Sequence, residues 1–161
     1  MAVRSTSNLT EGRSMGIQEP FCWSGRVQYN HTDAQGRVFY ANYFGLLDQA
    51  RCAFWEAIGL PEGEVIQIEH DTVIVHLAAD YHGPAAFYDT LSITVEPQKL
   101  GRSSLHLLYR VQQAVHKRDV LTAQMVMVQV DLASERSRAW APTFRSALLH
   151  HTGPHITQTS N

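Results

Sequence analysis

The chain of 161 residues contains little cysteine, few charged residues and no long apolar run. Its two cysteines, Cys22 and Cys52, are too few for a disulfide framework or a cysteine-based zinc site, and they suit a reducing compartment. No stretch approaches the roughly 18 apolar residues that a membrane-spanning helix needs. No apolar signal segment precedes the first predicted strand. We therefore expect a cytoplasmic protein with no membrane partner.

Charge of either sign is also scarce. Thirteen Lys and Arg residues face 15 Asp and Glu residues, a formal net charge of −2 that leaves no basic excess for a nucleic acid. Charged residues make up 17% of the chain, below the roughly 25% usual in globular domains. This low fraction predicts that part of the surface is covered in subunit interfaces. The nine histidines show no close metal-ligand spacing, so we expect no metal.

Composition divides the chain into one domain and two tails. Residues 1–20 are polar and are predicted to form a flexible N-terminal tail, in which Met15 is an alternative start to Met1. Residues 21–151 carry the apolar periodicity of a single domain. Residues 152–161 are predicted to be a loose C-terminal tail.

The apolar pattern predicts one long helix among strands. A strand over 21–29 precedes a mostly buried helix over 40–58, which Gly59 and Pro61 should end. Beyond Ile66 the pattern becomes that of strands. Four are predicted, over 72–77, 91–95, 105–111 and 121–132, followed by a short helix over 142–151. Sequential strands with short turns pair as antiparallel neighbours, so we predict an α+β fold with a curved antiparallel five-stranded sheet around a central helix.

One polar turn carries the residues that suggest chemistry. Asp33 lies three residues before Gly36, and the predicted helix begins seven or eight residues after Asp33. The N–H groups at a helix N-terminus can polarise a carbonyl while a nearby carboxylate attacks it or activates water. The same aspartate also suits an Asx turn without any catalytic role.

The ordered motifs around this turn resemble those of a known family. The stretch 29–43 has Asp33, a small residue, a variable residue, Gly36, hydrophobic residues, Tyr40 and then Asn42-Tyr43. This pattern is similar to the signature of the 4-hydroxybenzoyl-CoA thioesterase branch of the hotdog-fold superfamily. The resemblance continues through Ala79-Asp80-Tyr81-His82-Gly83-Pro84-Ala85, Tyr88-Asp89 and Leu100-Gly101-Arg102-Ser103-Ser104, and it covers roughly residues 22–148.

The resemblance implies a hotdog fold, homodimers or homotetramers with sites at the dimer interface, and hydrolysis of an acyl-CoA or acyl-carrier-protein thioester. Asp33 would be the catalytic carboxylate, as nucleophile or general base, and the backbone N–H of Tyr40 would hold the substrate carbonyl. Tyr40 favours the aromatic acyl-CoA type. CoA would be part of the substrate, so no cofactor is expected.

Other residues around these motifs are candidates for substrate binding. Tyr29, His31 and Gly36 belong to the Asp33 segment, although His31 and Gln35 depart from the residues that relatives commonly have there. Ser103 could approach the acyl group. Lys99 and Arg102 could rim the site and bind CoA phosphates, or could simply lie in a solvated turn.

Alternatives to this assignment stay open at this point. Asp48 and Glu56 are acids on the long helix, and another hotdog branch uses a helical acid for catalysis. Cys52 is more typical of a buried small residue than of a nucleophile. The alternative functions are an acyl-carrier-protein thioesterase and a non-catalytic acyl-CoA-binding module.

Overall fold

A computed structural model describes residues 20–153 and 156–159. The predicted N-terminal tail, apart from Pro20, lies outside the described residues, as does Met15. The elements in chain order are β1 (Phe21–Arg26), a 3-10 turn (Tyr29–His31), α1 (Asn42–Ala57), α2 (Glu62–His70), β2 (Thr72–Tyr81), β3 (Thr90–Leu100), β4 (Ser104–Gln113), β5 (Arg118–Asp131), β6 (Arg136–Ser137), α3 (Pro142–Thr152) and β7 (Thr157–Gln158).

A curled antiparallel sheet with helices forms the domain, which confirms the predicted α+β class. Its five long strands stand in the order β1-β3-β4-β5-β2, and α1 packs against β1 and β3. The inward rows of the central strands alternate with outward polar residues, as a half-buried sheet requires. Two short strands, β6 and β7, extend the sheet beside β5 and β3.

The prediction that sequential strands are neighbours holds for β3, β4 and β5 but is wrong for the strands that flank α1. β2 pairs with β5, and β1 pairs with β3, so β2 and β3 lie at separate places in the sheet. The eight residues His82–Asp89 can extend up to about 27 Å, more than three strand spacings of about 4.8 Å. This connection crosses the end of the sheet, where Ala85 and Asp89 bond the backbone of Val38 and Val27.

Helix α1 is shorter than the predicted span. It begins at Asn42 because Tyr40 and Ala41 form a turn, and it ends at Ala57 before Gly59, whose φ is +88°. Its buried side chains recur every three or four residues and form one inward face. They are Tyr43, Leu46, Leu47, Ala50, Arg51, Phe54 and Trp55.

Helix α2 replaces the strand character expected beyond Ile66. Glu62 and Glu64 lie in its first turn, where acids are favourable. Ile68 is its buried residue, and the strand begins at Thr72, as predicted, and runs four residues beyond the predicted end, to Tyr81. Because the apolar run 65–68 is short, helix and strand could not be distinguished by periodicity.

An ionic network around the buried guanidinium of Arg51 fastens α2 to α1. The Arg51 guanidinium donates to both carboxylate oxygens of Glu69, at 3.0 and 2.6 Å, and to Asp48 at 2.8 Å. The Trp55 indole donates to Glu69 at 2.7 Å. Burial by itself lowers the pKa of Arg51, but the hydrogen bonds and charge of Glu69 outweigh it and raise the pKa overall. Asp48 thus forms an ion pair with Arg51, which gives it a structural role on α1.

The first strand and the C-terminal segment also differ from the prediction. β1 ends at Arg26 rather than at Tyr29, and the Trp23 ring lies over Gly25, where an added Cβ would stand 1.9 Å from it. At the other end, α3 begins at Pro142 as predicted. Within the predicted loose tail, Thr152 is the last residue of α3, and Thr157–Gln158 form β7, which pairs in parallel with Lys99 and Leu100.

Candidate functional site

Asp33 sits in an Asx turn. One carboxylate oxygen accepts the N–H groups of Gln35 at 2.8 Å and Arg37 at 3.4 Å. The Asp33 backbone carbonyl accepts the Gly36 N–H at 3.0 Å, and Gly36 has a φ of +71°, which a side chain would strain. The second carboxylate oxygen makes no hydrogen bond to the described part of the chain. The turn thus orients the carboxylate and leaves one oxygen available.

The start of α1 lies beside this turn. The carbonyl of Phe39 accepts the N–H of Asn42 at 2.8 Å, and the carbonyl of Ala41 accepts that of Phe44 at 3.2 Å. The backbone N–H of Tyr40 donates to no acceptor within residues 20–153 and 156–159. It is a free donor just before a helix, where the partial positive charge of the helix end favours an anion.

Asp33 and Tyr40 open on one shallow cleft of about 360 Å³. Its lining residues are Asp33, Gln35, Arg37, Val38, Tyr40, Tyr43, Tyr81, His82, Gly83 and Pro84. The Tyr81 hydroxyl donates to the Tyr40 carbonyl at 2.9 Å, and Nε2 of His82 lies 2.9 Å from the Thr122 hydroxyl. Burial raises the pKa of Tyr43, so that phenol stays neutral. Tyr81 and His82 were not predicted as site residues, although they lie in the second motif of the resemblance.

The other candidates from the Asp33 segment have different surroundings. Gly36 forms the turn itself. His31 accepts the Gln28 N–H on Nδ1 at 3.1 Å, and its carbonyl oxygen accepts hydrogen bonds from the start of α1. Tyr29 is 80% exposed and packs edge-on against Phe87 with ring centres 6.0 Å apart. Neither His31 nor Tyr29 lines the cleft.

Lys99, Arg102 and Ser103 lie at the opposite end of the sheet from Asp33. Asp33 is near the Thr90 end of β3, and Lys99 is at the other end of this 11-residue strand, roughly 30 Å away at the usual rise per residue. One chain therefore does not bring these three residues to the carboxylate. The order of the motifs along the sequence does not indicate how far apart these residues lie in the fold.

Arg102 lines a second cavity, which sequence reasoning missed. Its lining residues are Arg102, Ala139, Arg145, Gln158 and Thr159. Arg145 donates to the Gly101 carbonyl at 2.7 Å, which holds its guanidinium beside the β3–β4 turn. The two arginines have no acid among the lining residues, so the cavity suits an anion. The position of Arg145 four residues into a helix offered no signal of this role.

The remaining candidates stand outside both cavities. Burial raises the pKa of Cys52, which makes it a poor nucleophile. Glu56 is exposed on α1. Within the described ranges, no three His, Cys, Asp or Glu side chains converge as a metal site would require. In the same ranges, no helix is long and apolar enough to cross a bilayer.

Comparison with known proteins identifies the family. Residues 35–120 match the Thioesterase superfamily. The acyl-CoA thioester hydrolase YbgC of Escherichia coli O6:H1 is 27% identical over 119 residues, which are 74% of this chain and 88% of the relative.

Solved structures agree with this at the level of the fold. The 1,4-dihydroxy-2-naphthoyl-CoA thioesterase Slr0204 of Synechocystis matches with a TM-score of 0.75 and 19% identity, over 84% of this chain and all of that one. The 4-hydroxybenzoyl-CoA thioesterase of Pseudomonas sp. strain CBS-3 matches with a TM-score of 0.70 and 21% identity, over 79% and 97%. The predicted hotdog fold is confirmed.

The chain belongs to the Thioesterase superfamily. It is a thioester hydrolase of the acyl-CoA thioesterase type, as the resemblance in its motifs implied.

Proposed function

We propose that this enzyme hydrolyses an aromatic acyl-CoA to the free acid and CoA, with Asp33 as the catalytic carboxylate. The observation that carries the proposal is that Asp33 and Tyr40 line the same cleft, while one Asp33 carboxylate oxygen and the Tyr40 N–H have no hydrogen-bond partner among the described residues. Three tyrosines, Tyr40, Tyr43 and Tyr81, line that cleft, and the exposed rings of Tyr40 and Tyr81 offer flat surfaces to an aromatic acyl group.

The proposed reaction needs only water as co-reactant and no cofactor. Asp33 either takes a proton from water as the water oxygen attacks the thioester carbonyl, or attacks that carbon itself and forms an anhydride that water then cleaves. The oxyanion that develops would accept the Tyr40 N–H. In the first route the C–S bond breaks as the tetrahedral intermediate collapses to the acid, and the protonated Asp33 returns its proton to the CoA thiolate. In the second route the C–S bond breaks as the anhydride forms and the thiolate takes a proton from water, after which hydrolysis of the anhydride releases the acid and restores the Asp33 carboxylate.

We propose that the working enzyme is a homodimer formed through β2, with a homotetramer as its dimer of dimers. β2 is an edge strand of the described sheet, and Val73, Ile74 and Val75 near its start are exposed, with Val75 at 58%. An unpaired apolar edge of this kind favours pairing with another strand. A second copy of β2 would cover it in antiparallel pairing.

Such pairing would also explain the distant candidates. A two-fold axis through β2 sets the Tyr81 end of one strand beside the Thr72 end of the other. Thr72 pairs with Gln129, whose N–H donates to the Ser103 carbonyl at 2.8 Å. Ser103 and Arg102 of one subunit would then lie on the side of Asp33 of the other. Arg102, Arg145 and Lys99 would supply the charge for the CoA phosphates.

The test is thiol release by the purified chain with aromatic, short, medium and long acyl-CoAs. Asp33→Asn should lower kcat/KM by about 10²-fold or more, because the amide cannot act as base or nucleophile. Asp119→Asn, a change at an exposed acid at the start of β5, is the matched control and should leave the rate unchanged.

Each outcome of this panel decides something. Preference for an aromatic ester that Asp33→Asn removes supports the whole proposal. Full activity in Asp33→Asn overturns the role of Asp33. Turnover only of acyl-carrier-protein thioesters, or tight CoA-ester binding without turnover, replaces the proposed substrate with the carrier protein or the proposed activity with a binding role. The proposed compartment is the cytoplasm, which fits the free thiols of Cys22 and Cys52.

A further inference from the structure

The carbonyl of Tyr40, in the turn just before α1, accepts a hydrogen bond from a side chain rather than from the backbone of α1. In a regular helix it would accept the N–H of Phe44, four residues later. Here the N–H of Phe44 donates to Ala41 at 3.2 Å, and the hydroxyl of Tyr81 donates to the Tyr40 carbonyl at 2.9 Å. A residue of β2 therefore binds the backbone of the turn that precedes α1.

Tyr40 is consequently fastened on both sides of its Cα atom. On the N-terminal side, the peptide that carries its N–H has the Phe39 carbonyl, which accepts the Asn42 N–H at 2.8 Å. On the C-terminal side stands the bond from Tyr81. The two bonds together restrict the direction of the Tyr40 N–H.

We propose that Tyr81 is a positioning residue for the oxyanion site, acting through the main chain of Tyr40. This inference rests on the proposed function. Without the Tyr81 hydroxyl, the Tyr40 peptide groups could rotate, and the N–H would spend less time directed at the substrate carbonyl. A donor must stand within about 3 Å of the developing oxyanion to be effective.

The surroundings of Tyr81 suit this task. Its ring packs edge-on against the buried ring of Tyr43, with centres 5.9 Å apart, and its backbone pairs with Leu121 on β5. Burial, and to a lesser degree Tyr40, raises the pKa of Tyr81 above its usual value of 10. The hydroxyl therefore remains a donor throughout the pH range of an ordinary assay.

The experiment removes that hydroxyl and keeps the ring. Tyr81→Phe should lower kcat about tenfold, a part of the 10²–10³ that loss of a whole oxyanion donor costs. KM and the thermal midpoint should stay nearly unchanged, because the ring contact with Tyr43 remains. Tyr88→Phe, at an exposed tyrosine outside the lining of the cleft, is the control and should match the wild type.

A double-mutant cycle separates positioning from general support. Tyr40→Pro removes the N–H itself, so adding Tyr81→Phe to it should change the rate less than about twofold if Tyr81 acts through that N–H. An equal loss in both backgrounds would overturn the proposal, and so would a wild-type kcat in the single variant Tyr81→Phe, which does not depend on Tyr40→Pro folding.

Failure of this inference is distinguishable from failure of the proposed function. If wild-type enzyme is active and Asp33→Asn is not, while Tyr81→Phe keeps full kcat, only the role of Tyr81 is wrong. If Asp33→Asn keeps full activity, the proposed catalytic role of Asp33 is wrong, whatever Tyr81→Phe does, and if wild-type enzyme hydrolyses no thioester, the proposed function itself is wrong.

Discussion

The side-chain amide of Asn42 donates a 2.9 Å hydrogen bond to the carbonyl oxygen of His31, eleven residues earlier in the chain. The same carbonyl accepts the N–H of Phe39 at 2.9 Å. The loop that carries Asp33 is thereby tied to the first turn of α1. We therefore expect the distance between the Asp33 carboxylate and the Tyr40 N–H to depend on this hydrogen bond. Asn42, a residue of the sequence motif, would act by fixing the position of the Asp33 loop.

We expect Asn42→Ala to lower kcat by about tenfold, since small misplacements of reacting groups are costly. The lost hydrogen bond should also lower the free energy of unfolding by about 1 kcal/mol. Steady-state kinetics and urea unfolding measure the two effects. Asn30→Ala is the matched control, and the prediction is wrong if both variants behave alike.

The backbone role of Tyr40 can be separated from its side chain. Tyr40→Ala keeps the N–H and should retain most of the activity, whereas Tyr40→Pro lacks it and should lose roughly 10²–10³-fold in kcat. Proline is tolerated near the start of a helix, so the fold should persist and circular dichroism can check it. Comparable losses in both variants would assign the effect to the phenol ring instead.

The bonds between Arg51 of α1 and Glu69 of α2 should contribute strongly to the free energy of unfolding. Arg51→Met leaves Glu69 without its guanidinium, and we expect a loss of about 3 kcal/mol in the free energy of unfolding. The double variant Arg51→Met with Glu69→Leu removes both charges and should recover part of that loss. Urea unfolding measures these losses. If the loss in the double variant equals the sum of the losses in Arg51→Met and Glu69→Leu, the two residues are not coupled and the prediction is wrong.

Stability should depend on pH through His106. Burial first, and then the charges of Lys99 and His76, lower its pKa from the usual 6.5. The folded state thus favours neutral imidazole, so this contribution is complete above pH of about 6.5 and is lost as the pH falls through the folded pKa. His106→Gln should therefore lose less stability than wild type between pH 7.5 and 5.5 in thermal scans.

The shared site proposed for the dimer can be tested by mixing subunits. Asp33→Asn and Arg102→Ala are each expected to be impaired, the second mainly in KM. Refolded together, half of the randomly formed dimers are mixed and hold one intact site, which predicts about a quarter of the wild-type rate. A mixture no more active than its components would show that Arg102 does not serve the neighbouring Asp33.

Much of this architecture could be predicted from the residues. The period-2 rows of β3 and β4 and the helical spacing of α1 are strong local patterns, and the motif around Asp33 and Gly36 pointed to the family. The place of β2 could not be predicted, because pairing with β5 depends on a connection crossing the sheet end. The separation of Arg102 from Asp33 follows from that same three-dimensional arrangement. The role of Tyr81 depends on a hydrogen bond to a residue 41 positions earlier in the chain, which no local sequence pattern indicates.

The close approach of Trp23 to Gly25 limits how this edge of the sheet can change over time. Any side chain at position 25 would collide with the indole two residues away, so the indole would have to leave its place. The two positions are therefore expected to covary: lineages that keep a large aromatic at 23 should keep glycine at 25, and those that gain a side chain at 25 should have lost the aromatic first.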